Sequence, residues 1–133
     1  MLIPMINFNK NCNEAISFYK NVLGAEVKLI SYAKDAPPNS GMDEYPPDFV
    51  MHSEVLICGT NLSLTDGGEK PLPFGNFSFM LMYDTPDEVT EIFNKLAEGG
   101  KVDWPLEPAF YSSLQGSVID RFGVNWLVMV KHP

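Results

Sequence analysis

Gly59-Thr60-Asn61-Leu62 and Gly123-Val124-Asn125-Trp126 stand 123 − 59 = 64 residues apart, and each opens an extended run that closes one half of the chain. Outward from both points the order of elements repeats. Before the first, Ala15, Ile16, Tyr19, Val22 and Leu23 recur at helical spacing, with Asn11 or Asn13 as cap and Gly24 as a left-handed stop. Before the second, Thr85 caps a helix with Pro86 in its first turn and Glu88 three residues on. Val89, Ile92, Phe93 and Leu96 form its apolar stripe, and Gly99-Gly100 ends it. The two helix ends are 99 − 24 = 75 residues apart, and the proline-rich stretch 33–47 absorbs much of the difference from 64.

Extended patterns fill the remainder. Met1–Phe8, Glu26–Tyr32, Phe49–Cys58 and Asn61–Thr65, the last two joined by a Gly59-Thr60 turn, serve the first half. Asn76–Tyr83, Lys101–Trp104, Gly116–Asp120 and Asn125–Val130 serve the second. Each half thus reads strand, helix, strand, strand, strand, which predicts one α+β domain built of two βαβββ modules, approximately 1–67 and 74–133.

The chain has 133 residues, of which 45% are apolar, and a net charge of 9 − 17 = −8. That length buries roughly two-thirds of the unfolded surface, enough for a core without metal or disulfide staples. Nine scattered cations against seventeen acids disfavour nucleic acid and anionic membranes as partners. No apolar run approaches the ~20 residues that span a bilayer, and Met1–Asn7 lacks a basic flank, so neither a membrane helix nor export is expected. Only Cys12 and Cys58 occur, without a CxxC, which fits a reducing cytoplasm. His52 and His132 are the only histidines, a low ceiling for imidazole chemistry.

Asn13-Glu14-Ala15-Ile16-Ser17-Phe18-Tyr19-Lys20-Asn21-Val22-Leu23-Gly24 resembles the first helix of the vicinal oxygen chelate superfamily, which includes glyoxalase I, bleomycin and fosfomycin resistance proteins and extradiol dioxygenases. Val50-Met51-His52-Ser53-Glu54-Val55, the Thr65-Asp66 strand end and Val118-Ile119-Asp120-Arg121-Phe122-Gly123-Val124-Asn125-Trp126 are similar to the PhnB-like branch, which carries the label 3-demethylubiquinone 3-methyltransferase. The resemblance implies a curved mixed sheet forming a cup, commonly in a homodimer. It also implies ligands for a divalent ion on the first and last strands of each module, at positions corresponding here to Pro4, Ser63, Phe77 or Ser78, and Leu127. None of these is an imidazole or carboxylate, so no metal and no other cofactor is expected.

His52 and Glu54, two apart on one strand, point to the same face. They suit either a general base oriented by a carboxylate or a polar pair at an interface, and Asp66 joins them if neighbouring strands bring it close. Trp104, Phe110, Tyr111 and Trp126 suit either an apolar ligand wall or core packing. Asp120-Arg121 reads as turn chemistry before Gly123. Phosphate loops, serine elbows and a cofactor loop for methyl transfer are missing from the sequence. The expectation is a cytoplasmic, metal-independent homodimer that binds a small organic molecule. The alternatives are a lyase or isomerase using His52 and Glu54, and a protein-interaction dimer with an occluded cup.

Overall fold

The first half of the chain, in the computed structural model that describes residues 1–67 and 78–131, runs β1 (Met5–Asn7), α1 (Cys12–Leu23), β2 (Glu26–Tyr32), β3 (Val50–Ile57) and β4 (Thr60–Thr65). The second runs β5 (Phe79–Tyr83), α2 (Pro86–Ala97), β6 (Lys101–Ala109), β7 (Ser112–Ile119) and β8 (Asn125–Val130). The chain divides into two compact units, Met1–Pro71 and Leu72–Pro133. Their sheets have the same order, β1-β4-β3-β2 and β5-β8-β7-β6, and neither is closed. In each unit the first and last strands pair in parallel while the other pairs are antiparallel. Parallel neighbours need a long crossover, and the helix begins it. This is the α+β, twice-repeated βαβββ architecture the sequence predicts. The expected strand start at Asn76 and Phe77, the boundary at residue 74, linker residues 68–73 and His132 lie outside the described residues.

The two helices begin by different means. Thr85 caps α2: its Oγ1 accepts from the Glu88 N–H at 3.3 Å and donates to Glu88 Oε1 at 3.0 Å. Asn11, the N-cap of α1, makes no side-chain cap bond, and Asp66 Oδ1 from beyond β4 accepts the Cys12 N–H at 2.9 Å instead. Gly24, at φ 65°, closes α1 as the sequence predicts, with its own N–H on Lys20 and the Ala25 N–H on Tyr19. A cap contributes about 1 kcal/mol, whereas each fully buried aliphatic or aromatic side chain contributes ~1.5–3 kcal/mol. The stripes Ala15, Ile16, Tyr19, Val22 and Val89, Phe93, Leu96, all buried, therefore decide where the helices sit, and the caps decide where they start.

Each helix covers one face of its own sheet. Ile6, Val55, Leu62 and Leu64 point to that face in the first unit, and Leu81, Val118, Trp126 and Val128 in the second, all buried. Gly116 lets α2 come close, since a Cβ there would stand 2.7 Å from Phe93 Cε2 and 2.9 Å from the Trp104 carbonyl oxygen. Two local expectations are corrected. The hairpin turn is Cys58-Gly59, with φ 48° and 87°, so β4 starts at Thr60. β6 runs on through Pro105 and Pro108 to Ala109 because it is an edge strand, where a missing N–H costs no ladder bond on the open side.

Cys12 is fully buried, and that burial, with the Asp66 carboxylate beside it, pushes its thiol up from 9.0 to about 12. Unfolded, the thiol loses its proton near 9.0; folded, it holds it to about 12. Between those values the native state binds more protons, so this contribution is full below 9.0 and is lost as pH rises toward about 12. Cys12→Ala should flatten that part of the alkaline decline in stability, read from urea midpoints below and within the window. An alkaline slope equal to that of the unsubstituted chain would contradict the assignment.

Candidate functional site

The face of each sheet turned away from its helix is the one that a ligand can reach within that unit. In the first unit the register places Met5, Ser63, Glu54 and Leu29 in one row across β1, β4, β3 and β2, and sets His52 opposite Ser31. Met5 is 60% exposed where its neighbour Ile6 is 4% exposed, which marks the open face. His52 Nε2 stands 4.0 Å from Glu54 Oε1, and both side chains are about half exposed. Ser63 Oγ is buried with no hydrogen-bond partner among the described residues. Strand alternation thus brings His52 and Glu54 together as predicted, in a wet setting where an ion pair of this length contributes little.

In the second unit two rows cross the open face. Met80, Leu127, Ser117 and Trp104 form one; Met82, Met129, Gln115 and Glu107 form the other. Trp104 and Glu107 are three apart, an odd interval that would normally oppose them. A register shift between them, around Pro105, places both opposite alternate residues of β7. Trp104 Nε1 consequently donates to Glu107 Oε1 at 2.7 Å. The β6–β7 hairpin carries Phe110 and Tyr111, whose rings meet edge to face at 5.1 Å. Together these side chains, with Gln115 and Ser117, line an open cleft of about 400 Å³, within the usual range for small-molecule sites.

The 3-demethylubiquinone-9 3-methyltransferase family matches residues 1–129. The chain belongs to this family. The chain is 32% identical to protein YjdN of Escherichia coli strain K12, over 97% of this chain and 94% of that protein. The structure of a PhnB protein from Bacillus cereus matches with a TM-score of 0.81 at 23% identity, covering 97% and 98% of the two chains. The fosfomycin resistance protein FosX from Listeria monocytogenes matches with a TM-score of 0.69 at 13% identity, covering 98% and 91%. At these identities both structures speak to the fold alone.

A divalent ion of the superfamily kind would draw on β1 and β4, and on β5 and β8. The register sets Met5 beside Ser63 and Met80 beside Leu127. Neither pair, a thioether beside a hydroxyl in the first unit or a thioether beside an alkyl group in the second, fits an ion that takes imidazole and several oxygen donors. Among the described residues no group of three or more His, Cys, Asp or Glu side chains is gathered for a metal.

Two of the sequence candidates are buried in the scaffold. Asp66, expected near a ligand, is 5% exposed and accepts from the Cys12 N–H and the Val50 N–H, each at 2.9 Å, so its carboxylate joins α1 to the start of β3. Trp126, expected as either wall or core, is 2% exposed, with its Nε1 donating to Asp120 Oδ2 at 2.9 Å. Asp120 Oδ1 accepts from Phe122 and Val124 N–H groups, as the turn reading of Asp120-Arg121 implied. Trp104 and Tyr111 do line the cleft. Glu107, Gln115, Met80, Met82 and Met129 were missed, although Phe79–Tyr83 alternates methionine with other residues plainly enough to have placed two of them.

Each buried donor left without an acceptor costs roughly 1–3 kcal/mol, so Asp120→Ala should lower stability by ~3–5 kcal/mol and Asp66→Ala by ~2–4 kcal/mol. Urea unfolding at unchanged m-value reads both losses. A variant as stable as the parent would contradict the scaffold role given to its carboxylate.

Proposed function

We propose that the chain is a metal-independent, homodimeric binder of a small organic molecule, which it takes into the Trp104–Tyr111 cleft of the second unit. The observation that carries this reading is the cleft's composition: aromatic walls on an edge hairpin, with the polar groups of Gln115 and Ser117 at its floor. Such a surface gains ~25 cal/mol per Å² of apolar area buried, so a ligand covering ~200 Å² gains about 5 kcal/mol before ordering costs. That corresponds to a dissociation constant of about 0.2 mM at best, moving into the millimolar range once ordering costs are included. The homodimer is supported by half-exposed apolar side chains on the open face of the first unit, Met5 and Leu29, which a second copy can cover. No helix of the described residues is long and apolar enough to cross a membrane.

A second reading is kept because His52 and Glu54 share an open face at 4.0 Å: an isomerase or lyase in which His52 moves a proton and Glu54 orients it. One set of measurements separates the two. Purified chain incubated with zinc, nickel or manganese and then desalted should retain far less than one ion per chain, sediment as a dimer, and bind ligands equally well after His52→Ala. Stoichiometric metal, or binding and turnover that vanish with His52, would favour the catalytic reading. A monomer at all concentrations would remove the dimer.

A further inference from the structure

We infer that the compound taken by this cleft is a planar aromatic cation, recognised by Glu107 and held flat by Trp104. This inference rests on the proposed binding in the same cleft and names the ligand's charge and shape. Four observations converge on it. Glu107 Oε1 is engaged by the Trp104 indole, while its second oxygen has no partner among the described residues. A second carboxylate, Asp103, lies at the same edge, where Ser117 Oγ donates to Asp103 Oδ2 at 3.3 Å. Among the described residues no lysine or arginine lines the cleft, and the chain as a whole carries −8. The Gln115 side chain, on the cleft's floor, makes no side-chain hydrogen bond among the described residues, so its amide is open to a ligand.

The chemistry of these groups selects the occupant. An anion would meet the Glu107 carboxylate, with Asp103 close by on Ser117 and no counter-charge among the described lining residues, and a neutral hydrocarbon would leave Glu107 and Gln115 against an apolar surface. A flat ring carrying a positive nitrogen meets each group in kind: the indole and phenol faces attract a cation through their quadrupoles, and Glu107 neutralises it. Beyond the cleft the same rows continue into Met129, Met82 and Met80, whose flexible, polarisable thioethers adapt to the apolar remainder of ligands of differing shape. The bond from Trp104 to Glu107 fixes the indole and the carboxylate relative to each other before a ligand arrives.

Isothermal titration of the full chain with three probes of one shape tests this. The probes are 9-aminoacridine, a cation in neutral buffer; acridine, uncharged there; and acridine-9-carboxylate, an anion. The expected order is cation, neutral, anion, with the cation about tenfold or more tighter than acridine and the gap narrowing as salt is raised. Glu107→Gln keeps an acceptor for the Trp104 indole, so it should preserve acridine binding while bringing the cation to within about twofold of it. Trp104→Ala should weaken all three. Equal binding of the three probes, or a cation preference that survives Glu107→Gln, overturns the inference and leaves small-molecule binding standing. Binding of none of them overturns both.

Discussion

One helix laid across a four-stranded sheet can cover only one of its faces, and in this chain each sheet has one helix. The parallel pairing of β1 with β4, and of β5 with β8, sends the intervening chain over that face and out to the far edge strand. Every strand then reads as two sets of side chains. Those facing the helix, such as Ile6, Val55, Leu81 and Val128, are buried hydrocarbon. Those on the other side are free of the packing rule and carry the residues with chemistry: His52 and Glu54 in one unit, Trp104, Glu107, Gln115 and the methionines in the other. The division between helix-facing side chains and candidate binding side chains in this protein is the pleat of its strands.

The buried carboxylates enforce that division. Asp66 takes the first N–H of α1 and the N–H of Val50, and so fixes where helix and strand begin. Asp120 takes two turn N–H groups and the indole of Trp126, and so fixes the entry to β8. Carboxylates buried and bonded in this way are out of reach of a ligand, whereas the acidic residues at the open edge, Glu107 and Asp103, face solvent. Where the superfamily would gather donors for an ion, this chain sets thioethers, an alkyl group and a single hydroxyl.

Much of this was legible in the sequence because the governing signals are local. Gly24 and Thr85-Pro86 mark helix ends by backbone chemistry alone, and the repeated Gly-x-Asn at 59–61 and 123–125 marks equivalent last strands. The shared face of His52 and Glu54 follows from period two. What escaped was set at long range. Asp66 caps a helix 54 positions earlier, a partnership that exists only after β4 lies beside β1. β6 passes through two prolines that argue against a strand until its edge position is known, and with the strand cut short at Trp104, Glu107 was hidden. Trp126 could be wall or core until Asp120 was seen to hold its indole N–H.

The claim on which the rest depends is that the open face of the second unit receives the ligand. Carbon-13 labelling of the methionine methyl groups reads it directly, because Met80, Met82 and Met129 lie on that face while Met42 sits in the loop between β2 and β3. During titration with 9-aminoacridine the three methyl resonances should shift together and saturably, with Met42 unmoved. Saturable binding that leaves all three resonances in place would contradict the account.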